Sequence, residues 1–287
     1  MNYLILLLVT LIAAGTPVFG RLALEHFPPI FLGFLRFTFA TILLLIVLFG
    51  IKKQNLKFKK EHYKYLLGLG IICIPVNQMF FLGGLHFSAA SHAGLIYGLS
   101  PILVLIFSMI SKLEKVSRMK TIGFVLSFVG VAYLFIDSGV QLSSDFILGD
   151  ILLLFAVTTW AAYVTYSKVM VVEYGALKVN SGVFLIGSIC YLPIALFDFP
   201  NFHPTELTYH SIIGFFYLAV ITSFIGYFLW SYILKRMDTT KVAIMSNLAP
   251  ILAVFFGVIF LNEPLTNGLI VGGCFTLAGI FMVQFSK

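Results

Sequence analysis

A chain of 287 residues that is 60% hydrophobic and only 10% charged, with a mean hydropathy of +1.06, has too few charges to cover a soluble globule. The net charge of +7 would suit a nucleic-acid ligand if it were gathered on one folded face, but it is dealt out among short loops instead. The fold class this implies is an all-α membrane protein.

Spanning helices need about 20 apolar residues each. Ten such segments nearly exhaust the chain, near 3–22, 30–51, 64–84, 90–111, 119–136, 148–171, 177–198, 210–234, 240–261 and 266–285. The first holds the small-residue run Ala13-Ala14-Gly15, as a cleaved signal peptide would, but no positive charge precedes its apolar stretch. Segment 6 also echoes it at an offset of 147: Trp160, Tyr163, Ser167 and Lys168 fall on Ala13, Thr16, Gly20 and Arg21. The expectation is a retained first span. Segment 2 opens with Pro28-Pro29 and carries Arg36, the one charge well inside an apolar stretch. Such a charge is costly and points to function by default. A structural role, pairing with backbone carbonyls or Glu25, is equally open. The lysine-rich loop that follows is a solvated face beside anionic lipid heads. Segment 3 contains Pro75 and then Asn77 and Gln78. Lipid offers an amide no partner, so both must be buried in protein or line water. They either bond between helices or touch a substrate.

Segments 4 and 5 recur as segments 9 and 10. Shifted by 149, Leu99, Pro101, Phe107, Glu114, Gly123 and Gly130 land on Leu248, Pro250, Phe256, Glu263, Gly272 and Gly279. A proline within a helix frees the carbonyl four residues earlier. Pro101 and Pro250 would thus kink their helices and free the carbonyls of Tyr97 and Ser246, beside Ser100 and Asn247. Interrupted helices at matching positions of two halves are the best sequence pointer to a transporter site, although a plain structural kink is the alternative. Glu114 and Glu263 each stand three residues before a Ser or Thr at the start of the next span, an arrangement that suits helix capping and a locked hairpin. Gly123, Gly130, Gly272 and Gly279 recur seven apart on one helix face, which suits close helix packing.

With the N-terminus in the cytoplasm, every Lys and Arg except Arg21 and Arg36 falls in a cytoplasmic loop, at its flanks or at the C-terminus. Each repeat unit then holds five spans. Five is odd, so residues 147–287 must be threaded oppositely to residues 1–140, with Glu114 inside and Glu263 outside. Inverted repeats of this kind enclose a binding site near the bilayer midplane. Trp160, Tyr163 and Ser167 share one face of segment 6, and Ser223, Tyr227 and Trp230 one face of segment 8. Gln78 maps onto Tyr227 and Phe81 onto Trp230 at the 149 offset. These aromatic residues lie too deep for a lipid belt and would line a cavity or pack in the core.

Ten spans, a five-plus-five repeat, a mid-helix proline, then Glu, then two glycines seven apart, together with the segment FLGGLHFSAASHAGLIYGLSPI, resemble the EamA family of the drug/metabolite transporter superfamily. The resemblance implies a central cavity between spans 1, 3, 4, 6, 8 and 9, and export or alternating-access exchange of amino acids or related metabolites. Candidate substrate contacts are Thr16, Asn77, Gln78, Tyr97, Ser100, Trp160, Tyr163, Tyr227, Trp230, Ser246 and Asn247, with Arg36, Glu114 and Glu263 as structural or gating residues. No acid lies well inside a predicted span, which favours a facilitator or exchanger over proton coupling. His86 and His92 are read as interfacial hydrogen-bonding groups, and Cys73, Cys190 and Cys274 as packing residues. No enzyme motif is found, and no metal or cofactor is expected. Efflux of amphipathic cations and lipid flipping remain open alternatives. The expected partners are a small-molecule substrate and membrane lipids, not nucleic acid. The expected state is a monomer or weak homodimer in a bacterial cytoplasmic membrane, both termini inside.

Overall fold

The computed structural model describes residues 2–110, 118–136, 144–236 and 248–285, with helices and loops but no strand among them. The helical segments are α1 (Asn2–Leu24), α2 (Pro29–Ile51), α3 (Lys60–Phe87) and α4 (Ala90–Ile110), then α5 (Arg118–Ile136). They continue as α6 (Asp145–Tyr174), α7 (Ala176–Asn201) and α8 (Tyr209–Ile233), α9 (Leu248–Leu261) and α10 (Asn267–Phe285). Seven of these, α1 to α4 and α6 to α8, are long and apolar enough to cross a membrane. The other three carry shorter apolar stretches. Apart from α9, described only from Leu248, each lies within a few residues of the segment expected for it. Large apolar side chains such as Ile46, Phe155, Val169, Phe255 and Phe260 are more than half exposed, as a lipid-facing surface requires.

Helix ends follow local chemistry. Pro29 opens α2, where its missing N–H costs nothing. Gly175 separates α6 from α7 at φ +85°, a conformation that a side chain would strain. Thr208 and Ser211 form a reciprocal capping box on α8. Thr266 Oγ1 accepts the Leu269 amide at the start of α10 (3.1 Å). Two other N-termini are capped from across the bundle. Asp198, on α7, accepts the amides of Ile30 and Phe31 (3.0 and 3.2 Å). Glu263, between α9 and α10, accepts those of Ala90 and Ser91 (2.7 and 2.8 Å). Glu263 therefore locks α4 of the first half, not its own hairpin, because Thr266 already serves α10. The opposite partial charge of a helix N-terminus favours both carboxylates.

Apolar burial gives little preference for helix over lipid, so close backbone approach has to hold such a bundle together. Gly84 on α3 meets Gly149 on α6, where an added Cβ would lie 2.8 Å from the Gly149 carbonyl, and Gly70 meets Gly187 on α7. The α5–α10 pair is the clearest case. A Cβ on Gly130 would strike the carbonyl of Gly272 and Thr276. A Cβ on Gly279 would strike the carbonyl of Gly123 and Ser127. Each contact becomes the other when 149 is added or subtracted, and the helices run antiparallel. The pair packs mainly on itself and reaches the rest of the bundle through α4.

Two apolar clusters flank the bundle centre. One joins α1, α3, α4 and α6 around Leu82, Leu85, Ile96, Leu99 and Val157. The other joins α2, α3, α6 and α7 around Phe37, Leu66, Val183 and Phe184. Between them the helices are irregular. Both α3 and α8 widen into π-helical turns, at Ile72–Val76 and Tyr217–Gly226. Shifted by 149, the first falls inside the second. They end at Val76 and Gly226, within two residues of the equivalent pair Gln78 and Tyr227, and such wide turns concentrate at functional sites.

Candidate substrate cavity

A cavity of about 260 Å³ lies between the two clusters. Its walls come from the middle of α1, α3, α4, α6, α8 and α9, with Arg36 reaching in from α2. Thr16, Asn77, Gln78, Tyr97, Ser100, Trp160, Tyr227 and Trp230 line it, as do both prolines, Pro101 and Pro250. Tyr163 does not reach it. That ring is buried behind the wall, with its hydroxyl 3.5 Å from Asn180 Oδ1. Glu114, Ser246 and Asn247 lie outside the described residues.

The walls repeat across the two halves. Gln78 and Phe81 face the cavity from α3, and their equivalents Tyr227 and Trp230 face it from α8; Pro101 and Pro250 do so from α4 and α9. α4 is interrupted at Gly98 and Leu99, just before Pro101, where the Leu99 carbonyl accepts the amides of Ile102 and Leu103. Gly98 packs there against the Pro250 ring, 3.2 Å from an added Cβ. The prolines thus occupy the crossing of α4 and α9, at mid-bundle.

A directional hydrogen-bond chain runs along one wall. Arg36 Nε donates to Ser223 Oγ (3.0 Å) and Nη1 to Gln78 Oε1 (3.3 Å). Gln78 Nε2 donates to Asn77 Oδ1 (2.7 Å), and Asn77 Nδ2 to the Ala156 carbonyl and Thr159 Oγ1 (2.7 and 3.0 Å). Each amide accepts from one neighbour and donates to the next, so both are oriented by Arg36. The guanidinium also lies 5.0 Å from the Phe37 ring centroid. Among the described residues Arg36 therefore pairs with neither Glu25 nor a backbone carbonyl, because the inward face of α2 points it at side chains of α3 and α8. Much of the remaining lining is aromatic. Trp160 meets Tyr227 edge-on at 5.2 Å and Trp230 at 6.3 Å, and Tyr97 meets Phe81 at 5.4 Å. Trp230 Nε1 is buried with no hydrogen-bond partner among the described residues. Thr16 and Thr222 hydroxyls meet at 3.1 Å across α1 and α8.

Two features escape sequence reasoning. Thr222 sits one residue before the Ser223 face and enters because the π-helical turn rotates α8. Asp150, in the first turns of α6, is fully buried, accepting from Ser88 Oγ, with its other oxygen 2.9 Å from His92 Nδ1. An acid is thus buried after all, because the α3–α4 turn folds over it with its own polar partners. It lies outside the cavity, whose described lining contains no carboxylate.

The sequence model of the EamA-like transporter family matches twice, over residues 1–136 and 147–285. The chain belongs to the EamA-like transporter family. Membership in this drug/metabolite-transporter branch makes it a secondary transporter of small molecules, not an enzyme. An uncharacterized transporter of Archaeoglobus fulgidus is 27% identical over 98% of this chain and 96% of its own. Uncharacterized transporter YoaV of Bacillus subtilis is 26% identical over 97% and 94%. A crystal structure 17% identical superimposes with a TM-score of 0.69 over 98% of this chain and 95% of that chain, a likeness of fold alone.

Proposed function

We propose that this EamA-family chain is an alternating-access exporter or exchanger of small polar metabolites, amino acids or related compounds, in the cytoplasmic membrane. In this reading residues 1–140 and 147–287 are inverted five-helix halves rocking about the cavity. The observation that carries it is the cavity itself: a mid-helix chamber walled by equivalent positions of both halves, as inverted-repeat carriers build their sites. The reciprocal, antiparallel contacts of α5 and α10 support the inversion. With no carboxylate in the described lining, exchange driven by the substrate's own gradient is favoured over a proton relay. Arg36 weighs against efflux of amphipathic cations, since a cation would meet a positive charge that no acid among the described residues neutralises. Counterflow tests the reading. Proteoliposomes preloaded with unlabelled amino acids should transiently accumulate the labelled ones. Uptake equal to that of protein-free vesicles would contradict it.

A further inference from the structure

Arg36 carries more charge than the fold requires. It is 2% exposed, and its bonded partners, Ser223 and Gln78, are neutral. Among the described residues, the ionisable side chains that act on it electrostatically are Tyr227, Tyr97 and Cys73, phenols and a thiol rather than carboxylates. Among the described residues no acid forms an ion pair with it. The remaining guanidinium N–H groups have no protein acceptor there, although the side chain lines the cavity. The repeat supplies a control. The positions 147 to 149 further along are Val183, Phe184 and Leu185, so the equivalent place in the second half is apolar, and the charges of α7, Lys178 and Asp198, stand near its ends. A buried cation is costly unless an anion meets it with matched hydrogen bonds. A planar guanidinium fork matches a carboxylate in two parallel bonds.

We propose that the cavity takes organic carboxylates of net negative charge, the carboxylate on Arg36 and an apolar or aromatic body against Trp160, Tyr227 and Trp230. This rests on the transport reading above and narrows its substrate class. An ammonium group would find no carboxylate in the described lining, so an amino-acid zwitterion is a poorer ligand than the same acid without its amine. The hydrogen-bond chain through Gln78 and Asn77 holds the guanidinium in place, and the aromatic wall selects bulk and shape.

Three probes that share one ring and differ only in charge test this: 3-phenylpropionate, phenylalanine and phenethylamine. Each is added to the detergent-purified full chain, and the melting temperature is followed, since a ligand of the native state raises it. 3-Phenylpropionate is expected to give the largest shift, with an affinity about tenfold or more above phenylalanine, and phenethylamine none. Arg36→Met is expected to abolish the carboxylate shift, and Arg36→Lys to retain it in weakened form. The wild-type ranking needs no variant and so stands even if a variant folds poorly. A shift with phenethylamine, a carboxylate shift unchanged in Arg36→Met, or no shift with any probe would overturn the assignment. Amino-acid counterflow that 3-phenylpropionate fails to inhibit would overturn it while leaving the transport reading intact. Binding of 3-phenylpropionate without counterflow of either labelled 3-phenylpropionate or labelled amino acids would do the reverse.

Discussion

Ser127 and Thr276 exchange hydrogen bonds: Ser127 Oγ donates to the Thr276 carbonyl at 3.1 Å, and Thr276 Oγ1 donates to the Ser127 carbonyl at 3.4 Å. They stand 149 residues apart, the offset of the sequence repeat, so each is the other's equivalent. A contact that residues at equivalent positions make reciprocally lies on a local two-fold axis. Because α5 and α10 are antiparallel, that axis crosses the helices rather than following them. Two hydroxyls bonding back to carbonyls, flanked by glycines, let the backbones approach where lipid gives no hydrophobic push.

The glycines of this crossing should therefore behave as a symmetric pair. Gly130→Val and Gly279→Val are each expected to cost roughly 1–3 kcal/mol through overpacking. Ser127→Ala and Thr276→Ala should cost less, about 0.6 kcal/mol each. Unfolding of the four variants in the same detergent would show this. A large effect at one glycine and none at its equivalent would contradict the two-fold contact.

Glu263 should act through α4 rather than α10. Glu263→Ala frees the Ala90 and Ser91 amides and is expected to cost about 1 kcal/mol, as the loss of a helix cap does. Hydrogen exchange at those two amides should rise, while exchange at Leu269, held by Thr266, should not change. Faster exchange at Leu269 alone would restore the hairpin-lock reading.

Asp150 is expected to matter for stability and not for substrate. Asp150→Ala leaves Ser88 and His92 without their shared acceptor, a loss of roughly 1–3 kcal/mol. Affinity for the transported compound should be unchanged, because neither side chain lines the cavity. A selective loss of affinity with normal melting would place this pair in the transport pathway.

Within the cavity, Asn77→Ala, Trp160→Ala and Tyr227→Ala should each weaken substrate affinity while leaving folded protein in the membrane. Tyr163→Phe is the control: it removes a hydroxyl 3.5 Å from Asn180 Oδ1 behind the wall and keeps the ring against Trp160 and Tyr227, so affinity should be unchanged. Unaltered affinity in the first three, or a strong loss in Tyr163→Phe, would contradict the wall as drawn.

Much of this was legible in the sequence because bilayer thickness fixes helix length and the repeat fixes correspondence. Pro101 with Pro250 and Gln78 with Tyr227 could be paired from spacing alone, and all four line the cavity. Tyr163 was misplaced because a helical face spanning Trp160 to Ser167 is wider than the strip that meets the cavity; only Trp160 and Val164 of α6 reach it. Thr222 was hidden because a π-helical turn shifts the helical phase, and nothing in the local sequence marks one at Tyr217–Gly226. The partners of Glu263, Asp198 and Asp150 were beyond reach because each bond joins elements distant in the chain, and no local spacing encodes it.

Labelling of equivalent loops reads whether the two halves thread the membrane in opposite senses. Val116 and Leu265 are 149 residues apart, and Cys73, Cys190 and Cys274 would first be replaced by Ala. A membrane-impermeant maleimide added to intact cells should label Leu265→Cys and leave Val116→Cys unlabelled until the membrane is opened. Labelling of both from the same side would contradict the inversion, and with it the two-sided chamber.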